Sequence, residues 1–164
     1  RDRVQLDAEG SIQYGMYYWD DNYPDSHVFA EGECLRKTFE PDFMLYHTMA
    51  VDEWGHMKGA DSAEYANAVA AVGHLIAARM PEWLEKGYQV VVTADHGMNN
   101  LGIHVGTEHA QREVALYIFS DKVENGRFEE NYISQLNVAP MVCRLMGVPA
   151  TEGMKQELEI AFAK

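Results

Sequence analysis

Cysteine is scarce in this chain: Cys34 and Cys143 are the only two in 164 residues. Neither has a partner at CxxC spacing, which argues against a thiolate metal site or a dithiol redox motif. Both fall in predicted helices, where a buried pair of thiols is the simplest role. Free thiols fit a reducing compartment, and the cytoplasm is the expected location. Positive charge is scarce as well. Thirteen Lys and Arg stand against 26 Asp and Glu, a formal net charge of −13, and no basic stripe exists to neutralise phosphates. That balance excludes a nucleic-acid duplex or an anionic membrane as a general partner. A small phosphorylated substrate is not excluded, because bound divalent cations reverse the local field. No apolar run approaches the ~20 residues of a membrane span. The chain opens on Arg1, so the missing leader segment carries little weight. Internal repeats, low-complexity tracts and clear linkers are absent, and so are HExxH, GxSxG, the P-loop and GxGxxG.

What is present is a globular composition. Hydrophobic residues make up 47%, enough for one domain with a substantial core. Ser11–Trp19 is a dense aromatic cluster read as an edge strand, and a helix starts near His27 with Ser26 as its cap. Glu40-Pro41-Asp42 breaks that helix. Phe43–Met49 and Val90–Thr93 are short apolar runs of the kind buried on both faces of a parallel sheet. Between them, Val51–Gly59 reads as a loop. A helix follows from Asp61 or Ser62, with Tyr65, Val69, Val72, Leu75, Ile76 and Met80 on one face and Pro81 restarting its last turn. Strand, helix and strand make a βαβ unit. Val114–Ser120 is a third strand, Asp121–Asn131 a surface segment, Asn137–Met146 an amphipathic helix and Thr151–Phe162 a weaker last one. The predicted class is α/β, a mostly parallel sheet flanked by helices.

Chemistry concentrates beyond the two predicted core strands. Asp95 and His96 follow Val90–Thr93, and Asp52 and His56 follow Phe43–Met49. Ligands of open α/β sheets sit at such strand ends, and all four side chains are metal-ligand types. Asp52 with His56 alone is equally well an acid near a helix start and a surface histidine, and an Asp-His dipeptide alone is weak. Two pairs, each past a strand and joined by one helix, are a stronger constellation. His104 and His109 offer a further imidazole from the next loop. Carboxylate oxygen with imidazole nitrogen suits Zn²⁺ or Mn²⁺ rather than Ca²⁺. Two such ions about 4 Å apart clamp a displacement at phosphorus.

Asp52-Glu53-Trp54-Gly55-His56, Thr93-Ala94-Asp95-His96-Gly97-Met98 and His104-Val105-Gly106 together resemble the alkaline phosphatase superfamily, most closely its type I phosphodiesterase/nucleotide pyrophosphatase branch. The resemblance spans roughly residues 42–149, where Val138–Pro149 matches the branch's late helix. It implies that Asp52, His56 and His104 hold one zinc and that Asp95 and His96 supply two ligands of a second. His104 is favoured over His109, although Val105 replaces a usual glycine and Ala115 a usual proline. The branch's Ser or Thr nucleophile and a further Asp ligand belong to an N-terminal portion with no counterpart here. Thr48, Thr93 and Ser62 are the nearest hydroxyls and occupy no matching motif. The resemblance therefore implies that residues 1–40 end a cap or inserted region and that 41–164 form the C-terminal portion of the metal-binding catalytic domain. The missing N-terminal portion of the same protein is then the principal partner.

The activity this implies for the parent protein is metal-dependent phosphoric ester hydrolysis, with this chain inactive alone. A sulfatase or phosphoglycerate mutase-type reaction fits the same motifs. A non-catalytic metal-binding or interaction domain is the reading from a different class.

Overall fold

The computed structural model describes residues 3–126, 132–155 and 157–163. In chain order its elements are β1 (Val4–Leu6), β2 (Tyr14–Met16), α1 (Asp25–Phe39), α2 (Ala50–Lys58), α3 (Ala63–Ala77), α4 (Met80–Glu85), β3 (Val90–Val92), α5 (His109–Arg112), β4 (Tyr117–Phe119), a 3-10 turn over Gln135–Asn137, and α6 (Val138–Met146). The class is α/β, as predicted. Strand pairing departs from the parallel sheet: β1 pairs antiparallel with β2, and β3 antiparallel with β4, Val91 opposite Ile118. No parallel ladder occurs among the described residues.

The run Phe43–Met49 accounts for that difference. It keeps the alternating exposure of a strand, with Leu45 78% exposed, but belongs to no ladder. A strand is made by a hydrogen-bonding neighbour, whereas this segment is held by a helix. Tyr46 stacks on Phe29 of α1 at 5.2 Å between ring centroids, and its hydroxyl donates to Glu33 Oε1 at 3.1 Å.

Two compact units divide the chain: Arg1–Pro81 with Ala94–Val114, and Glu82–Thr93 with Ala115–Lys164. In the first, α2 packs on α3 and α1 on β2, around buried Phe29, Leu35, Ala68 and Met98. Ser62 caps α3 as predicted, its Oγ accepting the Tyr65 N–H at 3.1 Å. The cap predicted for α1 is not used; Ser26 lies inside the helix, and the flanking Pro24 makes no side-chain cap bond. Ala50–Lys58, predicted as a loop, is helical despite Gly55, which costs about 1 kcal/mol within a helix. Gly55 is kept small by packing, because a Cβ there meets Met98 at 2.8 Å.

The second unit is built on apolar burial. Met141 is fully buried with Leu145 and Ile160, and Val91, Leu116, Ile118, Val123 and Phe162 pack against them. Met141 and Leu145 lie four apart on one face of α6, the spacing that produced the prediction. The helix predicted for Thr151–Phe162 has no helical turn among its described residues; Phe162 bridges Val123 in extended pairing instead. Of the predicted surface segment Asp121–Asn131, residues 127–131 lie outside the described residues. The thiols are not a buried pair: Cys34 is exposed and Cys143 half-buried. No helix among the described residues is long and apolar enough to cross a membrane.

Candidate metal centre

Helix α2 carries Asp52 and His56 one turn apart, so both side chains project from one face. Asp52 Oδ2 lies 3.4 Å from His56 Nε2. The start of this helix is held by a residue of α1: buried Asp25 accepts the Met49 and Ala50 N–H groups at 3.2 and 3.4 Å. Those are two of the donors that a helix start leaves orphaned, and Met49 itself supplies no cap. Asp52 also sits in the first turn, where the helix dipole favours its charge.

The stretch after β3 brings the other ligand types. His96 Nε2 is 3.8 Å from Asp52 Oδ1 and 3.6 Å from Asp95 Oδ2, and His104 Nε2 is 3.9 Å from Asp52 Oδ1. The His96 and His104 rings stack at 3.8 Å between centroids, and His56 meets His104 edge-on at 4.9 Å. Asp95 is the outermost member, its side chain 70% exposed.

Two imidazoles are set for coordination by the chain itself. His56 Nδ1–H donates to the Gly102 carbonyl at 2.8 Å, and His96 Nδ1–H to the Gly97 carbonyl at 2.9 Å. With the ring proton on Nδ1, the neutral imidazole keeps its Nε2 lone pair for an ion, the usual second-shell arrangement of metal-ligating histidine. Asp52 Oδ1 is buried and accepts no hydrogen bond. The imidazole nitrogens beside it stand beyond hydrogen-bond reach. An unpartnered buried carboxylate oxygen is costly, and a cation removes that cost. Two ligand atoms on a tetrahedral zinc lie about 3.3 Å apart. The 3.4 to 3.9 Å separations around Asp52 are close to that, and ligand atoms of Asp52, His56 and His104 all lie within 4.8 Å of one another. The donor set fits a divalent transition metal.

Of the sequence-predicted residues, Asp52, His56, His96 and His104 converge, with Asp95 at the rim. His109 does not join them. It lies on α5 with its side chain 89% exposed and pairs with Glu113 instead.

Several residues that build this site were invisible to the motif search. Asn99 is buried and organises the turn before His104: its Oδ1 accepts the Leu101 and Ile103 N–H groups at 3.0 and 2.9 Å. Its main chain bonds Ile103 and Gly102, and its carbonyl also accepts the Ala60 N–H. Gly102 adopts φ +73° within this turn, and a Cβ there sits 2.7 Å from the His56 carbonyl oxygen. Only glycine combines that left-handed backbone with so close an approach. Buried Gln111 donates to the Ile103 carbonyl and accepts the Glu108 N–H. Asn99 followed three residues later by Gly102 was the available signal, an Asx turn closed by glycine. Tyr65 stands near the centre too; burial first, then the Asp52 charge, raises the pKa of its hydroxyl.

Residues 13–139 match the type I phosphodiesterase / nucleotide pyrophosphatase family. Over 157 residues, 91% of the chain, the sequence is 27% identical to GPI ethanolamine phosphate transferase 3, catalytic subunit, of Mus musculus, covering 14% of that protein. The Homo sapiens counterpart is 29% identical over 117 residues, 70% of this chain and 11% of its own length. GPI ethanolamine phosphate transferase 3 of Saccharomyces cerevisiae is 26% identical over 132 residues, 70% of this chain and 12% of that protein. The chain thus spans about a sixth or less of the length of the curated relatives it matches. No solved structure matches it.

Proposed function

The chain belongs to the type I phosphodiesterase/nucleotide pyrophosphatase family, and from that premise we propose that it supplies the metal-binding part of an enzyme moving a phosphoryl-linked group between oxygen atoms. The relatives named above are ethanolamine phosphate transferases, which favours an alcohol acceptor over water and a substrate of the phosphoethanolamine class. Hydrolysis, the expectation from motifs alone, then becomes the side reaction of an enzyme whose acceptor site is empty.

The observation carrying this proposal is the buried, unpartnered Asp52 Oδ1 among three imidazoles. Asp52, His56 and His104 would hold one divalent ion, zinc or manganese, and His96 with Asp95 would contribute to a second. When bound, such ions polarise phosphoryl oxygens and offset charge developing on the attacking and leaving oxygens. The chain's own work is placement. Asp25 fixes the start of α2, the Gly102 and Gly97 carbonyls orient His56 and His96, and Asn99 sets the approach of His104. The nucleophile, a Ser or Thr in this proposal, belongs to the part of the protein outside this chain.

The test is metal content and turnover of bis(p-nitrophenyl) phosphate by the full-length protein. Asp52→Ala and His104→Ala should each lose bound metal, and turnover should fall by more than the ~10–100-fold typical of second-shell changes. His109→Ala should stay within about threefold of wild type, as expected of an exposed ion pair. A wild-type protein that binds no transition metal, or a His109→Ala variant that matches His104→Ala, would sink this assignment.

A further inference from the structure

The run Phe43–Met49 has the form of a strand without a strand's bonds. It passes from Phe43 to Met49 with no turn or bend. Phe43, Leu45 and His47 are exposed, and Met44, Tyr46 and Thr48 between them are half-buried, the period of two that an extended chain gives. One face is occupied by α1. The Tyr46 ring stacks on Phe29 and packs so closely over Gly32 that a Cβ there would run into it. The Tyr18 hydroxyl and His47 Nδ1 stand 2.8 Å apart, and the Asp25 carboxylate takes the Met49 N–H. Side chains and the last residue therefore fix the segment in place.

Its main chain is left out of this bonding. Among the described residues, no hydrogen bond reaches the N–H or C=O of Phe43, Met44, Leu45, His47 or Thr48. Main-chain polar groups are obligatory bonding groups. Water serves them in a polar loop, but this run is apolar, with Phe43 54% and Leu45 78% exposed. Open strand edges are normally guarded by Lys, Pro, a bulge or a charge. Phe43-Met44-Leu45-Tyr46-His47-Thr48-Met49 contains no Lys, Arg, Asp, Glu or Pro. An unguarded edge of this composition suits permanent cover rather than exposure.

We propose that Phe43–Thr48 is a docking strand, along whose main chain a β-strand from the remainder of the same protein, outside residues 1–164, pairs. The length of that remainder favours it over other occupants. The matched residues make up 14% of the Mus musculus relative and 11% of the Homo sapiens one. In a protein of such length most of the polypeptide is tethered to this edge, at an effective concentration that a separate molecule does not reach. Pairing supplies partners to at least alternate N–H and C=O groups of the run and sets a side chain beside exposed Leu45. This inference concerns assembly of the fold and does not depend on the phosphoryl-transfer reading.

Hydrogen exchange of the full-length protein, resolved to single residues, reads the pairing, and a photo-crosslinking side chain in place of Leu45 reads the partner. At least alternate amides from Phe43 to Thr48 should exchange ~1,000-fold more slowly than an unstructured chain. Adjacent N–H groups point to opposite edges of a strand. Of Met44→Pro and Leu45→Pro, at least one should therefore bring the run to within about tenfold of the unstructured rate. Leu45→Ser keeps the main-chain donor and should retain most of the protection. The crosslinked peptide should come from outside residues 1–164, in a product with the mass of a single molecule. Amides that exchange freely throughout Phe43–Thr48 overturn the proposal, as do two proline variants that exchange like wild type. A crosslink to residues within 1–164, a product of twice the mass that joins two copies, or a probe that captures nothing overturns the partner assigned. Exchange is read with or without metal, so a protein that binds no zinc sinks the phosphoryl-transfer reading and leaves this inference to its own result.

Discussion

The two compact units of this chain are held by different kinds of bond. In Glu82–Thr93 with Ala115–Lys164 the interior is an apolar cluster, with Met141, Leu145 and Ile160 at its centre. In Arg1–Pro81 with Ala94–Val114 the buried residues include Asp25, Arg36, Asn99 and Gln111 beside the hydrophobic ones. Three of these polar residues bond main chain near the metal centre, and Arg36 is bonded to Glu33 at 2.8 Å. The difference follows from the task. Apolar packing is non-directional and tolerates small displacements. The proposed ligand set would need four side chains from three segments held to within a few tenths of an ångström, which directional hydrogen bonds to the backbone accomplish.

That contrast is most open to attack where removing a buried group should have opposite consequences in the two units. Met141→Ala deletes a fully buried side chain and should destabilise by about 2–5 kcal/mol, through lost transfer energy and the cavity left behind. Asp52→Ala removes a carboxylate whose buried Oδ1 is without a hydrogen-bond partner. In metal-free protein the relief of about 1–3 kcal/mol offsets the lost helix-dipole term of about 0.3–1 kcal/mol. Its stability should therefore match or exceed wild type, and only wild type should gain stability when zinc is added. Urea unfolding with and without zinc measures both. Asp52→Ala losing as much stability as Met141→Ala would mean that the carboxylate is a structural anchor rather than an ion's ligand.

A smaller effect isolates directionality itself. Asn99→Ala strands the Leu101 and Ile103 N–H groups and should cost about 1–3 kcal/mol of stability. Zinc affinity should fall about 10–100-fold as His104 and the Gly102 carbonyl lose their fixed positions. Asn99→Asp keeps the acceptor but sets a second carboxylate against Glu108 in place of the Nδ2 donation, so it should recover only part of the affinity, and more of it at low pH than at neutral pH. Equal zinc isotherms for the alanine variant and wild type would show that His104 needs no such support.

The same contrast explains which parts of the molecule were legible in sequence. Helices α3 and α6 announced themselves by apolar spacing, and Ser62 by its place before α3, because the hydrophobic face and the capping hydroxyl are local signals. Asp52, His56, Asp95, His96 and His104 were legible as ligand types flanking predicted strands, and their motif order carried the family resemblance. Pairing direction was not. An apolar run such as Phe43–Met49 states a wish for burial, not which neighbour provides it, and here the neighbour is helix α1. Asp25 was illegible for a similar reason. Its partners, the Met49 and Ala50 N–H groups, lie 24 and 25 residues away, and no local pattern marks a carboxylate that caps another segment's helix. The Tyr18–His47 bond is equally long-range.

A polar seam runs through the apolar unit, and it gives the smallest test of the comparison. Fully buried Asn137 accepts the Glu159 N–H at 3.0 Å through Oδ1 and donates to Glu159 Oε2 at 3.3 Å through Nδ2. The Glu159 carboxylate also takes a hydrogen bond from Lys155 and one from the Ser134 N–H. The Lys155 bond first, then the Ser134 N–H, lowers the Glu159 pKa below the ordinary carboxylate range. The sign of the linkage is therefore fixed. Below the ordinary value the unfolded chain binds a proton that the native carboxylate still refuses, so stability rises with pH across that window. This contribution is complete above the unfolded pKa of roughly 4.3 and is lost as pH falls through the lower native value. Glu159→Gln should unfold at a slightly lower temperature than wild type at neutral pH, and the gap should close on acidification. Thermal melts of the two proteins between neutral pH and pH ~3 read it directly. A gap that stays constant over this range would show that the side chain's bonds to Asn137 and Ser134 matter and its charge does not. The seam would then be a matter of shape and hydrogen bonding, as in the unit with the candidate metal centre, rather than of electrostatics.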